Sequence, residues 1–154
     1  SGHEPFSLHE RLHWDAGPTV ILGCRDGGLR AFDRDQVVDD GNREIDSYCL
    51  LGPFHLDRQG FTEGMISELQ GTISNDSGPV RWSTLVGNSA EEAYLSDPHE
   101  EGDWSRAGLN HNARPRSRGV NGIVKVGNKP GSLRRWALER VTAVIRSAGR
   151  RRIK

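Results

Sequence analysis

The stretch FTEGMISELQGTIS, residues 61–74, decides the fold. Two periods compete in it. Met65, Leu69 and Ile73 recur every four residues, the spacing of a helix face. Gly64 and Gly71 weaken that reading, since glycine inside a helix costs about 1 kcal/mol relative to alanine. Taken every second residue, Met65, Ser67, Leu69, Gly71 and Ile73 line one face of a strand. The strand is the reading adopted, and its neighbours agree with it.

Downstream, NDSGP at 75–79 has turn composition, and VRWSTLVG at 80–87 alternates, with Val80, Trp82, Thr84 and Val86 on one face. In NSAEEAY, 88–94, Ser89 caps a short helix and Glu92 follows at capping-box spacing. EEGDWSRAGLN, 100–110, reads as a loop with one aromatic anchor. SRGVNGIVKVG, 117–127, is a strand with Val120, Val124 and Val126 inward and Lys125 outward. After the NKPG turn, residues 132–149 make a poor helix face, and the β-branched VTAVI favours a strand.

Upstream, EIDSYCLLG at 44–52 places Ile45, Ser47, Cys49 and Leu51 on one side, with Tyr48 and Leu50 on the other, and Pro53 interrupts or edges that strand. TVILGC, the RDGG turn and LRAFD make a tight hairpin over 19–33. In residues 1–15, Phe6, Leu8, Leu12 and Trp14 fit a short helix or an arm lying on a surface. The expected fold is mainly β: an antiparallel, jelly-roll-like β-sandwich with an N-terminal hairpin and one short helix. Residues 1–18 are the N-terminal arm, 19–43 the β-hairpin and acidic linker, 44–149 the sandwich and 150–154 a basic tail.

Composition fits a loop-rich globular chain of 154 residues, with 34% hydrophobic residues, 19 glycines and 27% charged residues. Two cysteines, Cys24 and Cys49, are too few for a disulfide framework, and free thiols are expected. No run of 18 apolar residues exists, so no membrane span is expected. The opening SGHEPFSLHE has no apolar signal core and reads as a scar, a processed end or the cut edge of a longer protein. Net charge is zero, but residues 1–103 hold 7 basic and 20 acidic side chains while residues 104–154 hold 14 and 1. These parts attract each other within one chain or between copies.

Catalytic signatures are sparse. His9, Glu10 and His13 spell H-E-x-x-H, which on a helix puts two imidazoles on one face for zinc with the glutamate as base. Without a third ligand, and just before Gly17-Pro18, the string reads as a solvated arm; a metal-dependent hydrolase is the enzyme class it names. DRDQVVDDG at 33–41 lacks the order of a calcium loop and reads as linker charge. There is no GxGxxG on a strand-to-helix turn, no phosphate-loop lysine motif and no GxSxG. No cofactor and no bound metal are expected. Trp82, Trp104 and Trp136 need a core or a partner surface, and core packing is the favoured reading.

Arg114, Arg116 and Arg118 alternate in AGLNHNARPRSRG, 107–119. Pro115 holds Arg114 out of a helix, so an extended backbone presents the three guanidinium groups on one side, toward acidic surface from residues 33–46 or from a neighbouring subunit. Nucleic-acid binding is not favoured, since no aromatic residues interleave the arginines.

ILGCRDGGLRAFD resembles the closing hairpin of a β-propeller blade in tailed-phage and prophage structural proteins. GPFHL at 52–56, SGPVRWSTLVGNSAEEA at 77–93, W-x-x-x-G-x-N from Trp104 to Asn110, RPRSRG at 114–119 and RRWALERVTAVIRSAGRRR at 134–152 resemble the domain that follows the propeller. The resemblance spans roughly 19–152. It departs in that the upstream blades of a propeller are missing from the 154 residues. It implies a virion location and a non-enzymatic role, with tail or head-to-tail connection proteins and further copies of the chain as partners. The interaction residues expected are Arg114, Arg116, Arg118, Trp104, Arg134 and Arg135. The alternative is a binding module, for a glycan through Trp104 and Tyr94 or for nucleic acid through the arginines.

Overall fold

The computed structural model describes residues 5–13, 17–31, 38, 44–57 and 62–148. The chain divides into two compact units, Ser1–Gln36 and Val37–Lys154.

In the first unit, the residues of β1 (Pro5–His13), β2 (Gly17–Cys24) and β3 (Leu29–Ala31) form an antiparallel sheet in that order. The turn joining β2 to β3 closes as Asp-Gly chemistry requires. Gly27 has φ 80°, its N–H donates to the Cys24 carbonyl at 3.0 Å, and the Asp26 carboxylate accepts from the Gly28 N–H at 2.9 Å. Asp26 also pairs with Arg30 at 2.7 Å. The hairpin is therefore as expected, but the arm before it is not a helix. Phe6, Leu8 and Leu12 sit at even positions, so they satisfy period two as well, and β2 offers an edge that pairs Leu8 with Leu22 and Glu10 with Val20.

The second unit is a β-sandwich. One sheet has the order β4-β10-β6-β7, from Tyr48–His55, Asn121–Asn128, Val80–Gly87 and Glu100–Trp104. The other is built on β5 (Gly64–Ile73), which pairs with β11 (Leu138–Ser147) along one edge and with β8 (Gly108–Leu109) and β9 (Ser117–Gly119) along the other. All these pairings are antiparallel. The mainly β sandwich with a short helix is thus what the structure shows. EEGDW, expected in a loop, is strand β7, because Gly102 and Trp104 line up with Trp82 and Val80 of β6.

The core lies between the sheets. Leu56, Ile66, Leu69, Ile73, Val80, Trp82, Trp104, Val124 and Val126 form one buried cluster. Inward Val80, Trp82 and Thr84, with Val86 packed against the same cluster, match the alternation of the sequence. Thr84 and Ser117 are both fully buried, and their hydroxyls bond across the sheets at 2.7 Å. Trp104 lies against Gly71 of β5, where a methyl group would come within 2.3 Å of the indole. Glycine there is required by the close approach of ring and backbone.

The face of β5 carries one surprise. Ser67 is an extra residue relative to β11: Glu68 faces Val144 and Ile66 faces Ile145. This bulge reverses the alternation. Ser67, Leu69, Gly71 and Ile73 face inward as expected, but on the far side of the bulge Ile66 takes the inner position that the pattern assigned to Met65.

Helix α1 (Ala90–Leu95) covers part of the outer face of the first sheet, burying Leu85, Ala93 and Ile123 with Leu50 alongside. The Ser89 hydroxyl accepts from the Glu92 N–H at 3.0 Å. Glu92 reaches back to the Asn88 N–H at 3.0 Å, one residue before the cap. Cys24 and Cys49 are free thiols, and burial raises the pKa of Cys49.

Candidate functional site

The segment 108–119 runs the length of β5 as a broken strand. Gly108 and Leu109 pair with Ile73 and Thr72, Ala113 exchanges both backbone hydrogen bonds with Leu69, and Ser117–Gly119 pair with Ile66–Gly64. Asn110 clasps the first gap: its amide donates to the carbonyls of Arg106 and Gly108 at 2.7 and 3.1 Å and accepts from the Arg106 N–H at 3.1 Å. Pro115 and Ser117 are buried, so Arg114, Arg116 and Arg118 are exposed on the side away from the core. The alternation expected for these arginines therefore holds. The uniformly extended backbone does not: Arg116 has φ 52°, in the left-handed region. The irregularity absorbs the extra length of this segment relative to β5.

Across β5, Arg140 and Arg146 are also exposed, on the outer face of β11. Met65 stands between Arg118 and Arg146 in register. Glu68 answers this positive face, bonded to Arg146 at 3.2 Å and to the amide of Asn112. Arg118 donates to the Ala148 carbonyl at 3.3 Å. Among the described residues, Arg114 and Arg116 have no hydrogen-bonding or ionic partner. Of the acidic stretch expected to meet them, residues 33–37 and 39–43 lie outside the described residues. Glu44 is engaged elsewhere: it accepts from the Asn128 amide at 2.9 Å and the Gly131 N–H at 2.6 Å. The hydrogen bonds from the Gly131 backbone and Asn128 hold its pKa below the ordinary value.

Trp104 is corrected. Expected at an interaction surface, it is 0% exposed and part of the core, with its ring centroid 6.2 Å from that of Trp82. A glycan platform through Trp104 has no exposed ring to offer, while Tyr94 on α1 is 56% exposed. Arg134 and Arg135 are exposed in the connection between β10 and β11, where the Arg135 carbonyl accepts from the Gly78 N–H at 2.6 Å. Trp136, next to them, donates to the Ser47 hydroxyl at 2.8 Å. His9 and His13 lie on strand β1. Four residues of strand separate their backbones by about 13 Å, whereas the H-E-x-x-H arrangement brings a pair at this spacing together on one face of a helix. The calcium-like run 33–41 and the tail 150–154 fall outside the described residues, apart from Val38.

The outer face of the other sheet holds a cleft of about 380 Å³. Glu44, Asp46, Tyr48, Arg81, Glu101 and Lys125 line it. Its two cations are engaged. Lys125 Nζ sits 4.1 Å from the centre of the Tyr48 ring, and Arg81 Nε bonds Asp103 at 3.0 Å. Asp103 also holds Lys129 at 2.9 Å. Partial burial raises its pKa, but Arg81 and Lys129 more than offset that and leave it below the ordinary value. Glu101 reaches Arg81 only loosely, at 3.8 Å, and Asp46 has no partner among the described residues. Sequence reasoning missed this cleft. Its local signals were Tyr48 on the opposite side from Cys49 and the outward Lys125, with nothing to show that β4, β6, β7 and β10 bring these side chains together.

These features define an antiparallel β-sandwich with a basic outer face on one sheet and a carboxylate-rimmed cleft on the other. No protein-family model and no curated protein matches the chain. Among the described residues, no helix is long and apolar enough to cross a membrane.

Proposed function

We propose that this chain is a non-enzymatic structural protein of a virion, assembling with tail or head-to-tail connection proteins and with further copies of itself. One observation carries the reading. Across β5 from the row of exposed arginines, the ten-residue edge strand β11 has β5 on one side and no strand on its other side among the described residues. Open strand edges are templates for pairing with another chain, and arginine favours planar recognition of carboxylates. The sequence resemblance to tailed-phage structural proteins supplies the setting. Immunogold labelling of tailed particles with antibodies to residues 62–148 tests it. Gold at the tail or neck is expected; purified particles devoid of the chain sink the proposal.

A second reading, docking of nucleic acid, is favoured by the same arginines. The large hydrophobic side chains exposed on this sheet are Leu109, Val144 and Ile145, and none offers the ring on which a base stacks. Protein assembly is therefore the stronger reading.

A further inference from the structure

We infer that the arginine face of one copy docks into the carboxylate-rimmed cleft of a second copy, head to tail. The inference rests on the assembly reading and gives it a partner and a surface.

The two surfaces belong to opposite sides of one sandwich. Tyr48, Arg81, Ser83, Lys125 and Gly127 line the cleft from the outer face of β4-β10-β6, since the alternate residues Val80, Trp82, Val124 and Val126 fill the core. Arg114, Arg116 and Arg118 leave the far side of the other sheet, since Pro115 and Ser117 point back toward the core. The body of the sandwich separates them, so these arginines do not fold back into their own cleft. A second molecule brings the two surfaces together.

Each surface lacks what the other carries. Arg114 and Arg116 have no partner among the described residues, and neither does Asp46 in the cleft. Glu101 is held loosely, while Arg81 and Lys125 are committed to Asp103 and to the Tyr48 ring. An incoming guanidinium thus meets carboxylates whose local cations are already engaged. The zero net charge of the chain lets copies approach without bulk repulsion. The contact is heterologous, joining different patches on the two molecules, so it propagates into a ring or a filament.

Sedimentation velocity of the full chain tests this at low salt and at about 1 M salt, where the screening length falls to about 3 Å. Concentration-dependent oligomers at low salt that dissociate at high salt are expected. Arg114→Ala and Asp46→Arg, both at exposed positions, should each be folded by circular dichroism and monomeric. Mixed, they should form a one-to-one dimer and nothing longer, because the intact cleft of the first variant takes the intact arginine row of the second. Wild-type oligomers that survive both substitutions overturn the inference. So does a monomer that binds duplex DNA through Arg114, which makes the face a phosphate dock. A chain that is monomeric at low salt yet labels particles overturns the head-to-tail contact and leaves the assembly reading standing.

Discussion

Gly71→Ala is the sharpest test of the packing. The added methyl carbon falls 2.3, 2.5 and 2.6 Å from Cε3, Cζ3 and Cδ2 of Trp104. Ordinary carbon contacts are about 3.5–4.0 Å, so the ring has to retreat by more than about 1 Å. It has little room, because Trp104 is 0% exposed and abuts Trp82. The backbone of Gly71 is held as well: it faces Val141 on one edge, and its carbonyl accepts from the Asn110 N–H at 2.9 Å on the other. Overpacking a filled core costs about 1–3 kcal/mol, and two-sided restraint puts this site at the upper end. Relief of the glycine entropy penalty returns about 0.5–1 kcal/mol. The net expectation is a loss of about 2–2.5 kcal/mol, which lowers Tm by roughly 10 °C for a domain of this size. Urea unfolding followed by circular dichroism measures it as a lower midpoint at constant m. Trp104→Leu makes the space, so Gly71→Ala should cost at least about 1 kcal/mol less in that background. A Gly71→Ala loss below about 0.5 kcal/mol, or strict additivity with Trp104→Leu, refutes the reasoning.

Thr84→Val deprives the buried Ser117 hydroxyl of its 2.7 Å partner and should cost about 1–3 kcal/mol in urea unfolding. Because the Thr84 hydroxyl also donates to the Glu100 carbonyl at 3.2 Å, adding Ser117→Ala should recover only the part of the loss owed to Ser117; a double variant as unstable as the sum of the singles contradicts the pairing. Ser89→Ala removes the helix cap and should cost about 1 kcal/mol, with faster amide exchange in α1 as the local sign. The depressed pKa of Glu44 stabilises the fold above the unfolded value near 4.5, and that contribution disappears as pH falls through the lower folded value. Glu44→Gln should therefore lower Tm at neutral pH and match the wild type in acid; a constant difference across the titration counts against the Gly131 and Asn128 bonds as its cause.

The parts of the fold that were legible are those where alternation runs unbroken. Val80 to Val86 and Val124 to Val126 show their inward face directly, and Ser89 with Glu92 marks the helix start. Legibility ended where one residue changed the phase. Ser67 has no sequence mark of a bulge, and the register of β11 creates it. The N-terminal arm misled because Leu8 and Leu12 fit both periods, and only the edge of β2 decides between them. EEGDW looked like a loop because acids and glycine are poor strand formers, and pairing with β6 overrides that preference. For the candidate site, the exposure of the three arginines was readable from Pro115 and the alternation. Core packing was the favoured reading for the Trp104 ring; where it docks was not readable, because the glycine that admits it lies 33 positions earlier in the chain. The cleft was hidden for the same reason, being assembled from four strands distant in sequence.

The strand along β5 also has a consequence for how this protein tolerates change. From residue 113 to residue 118, Ala113, Pro115 and Ser117 serve the interior while Arg114, Arg116 and Arg118 face water. Scaffold and surface are thus written in alternate letters of one short segment, and the first set can be kept while the second is rewritten. Residues grafted at 114 and 118 would inherit a rigid, predefined spacing without a new loop having to be built, whereas Arg116, with its left-handed backbone, suits glycine or asparagine better than a β-branched replacement. This sheet face is a display surface on which binding preference can be exchanged at little expense to folding.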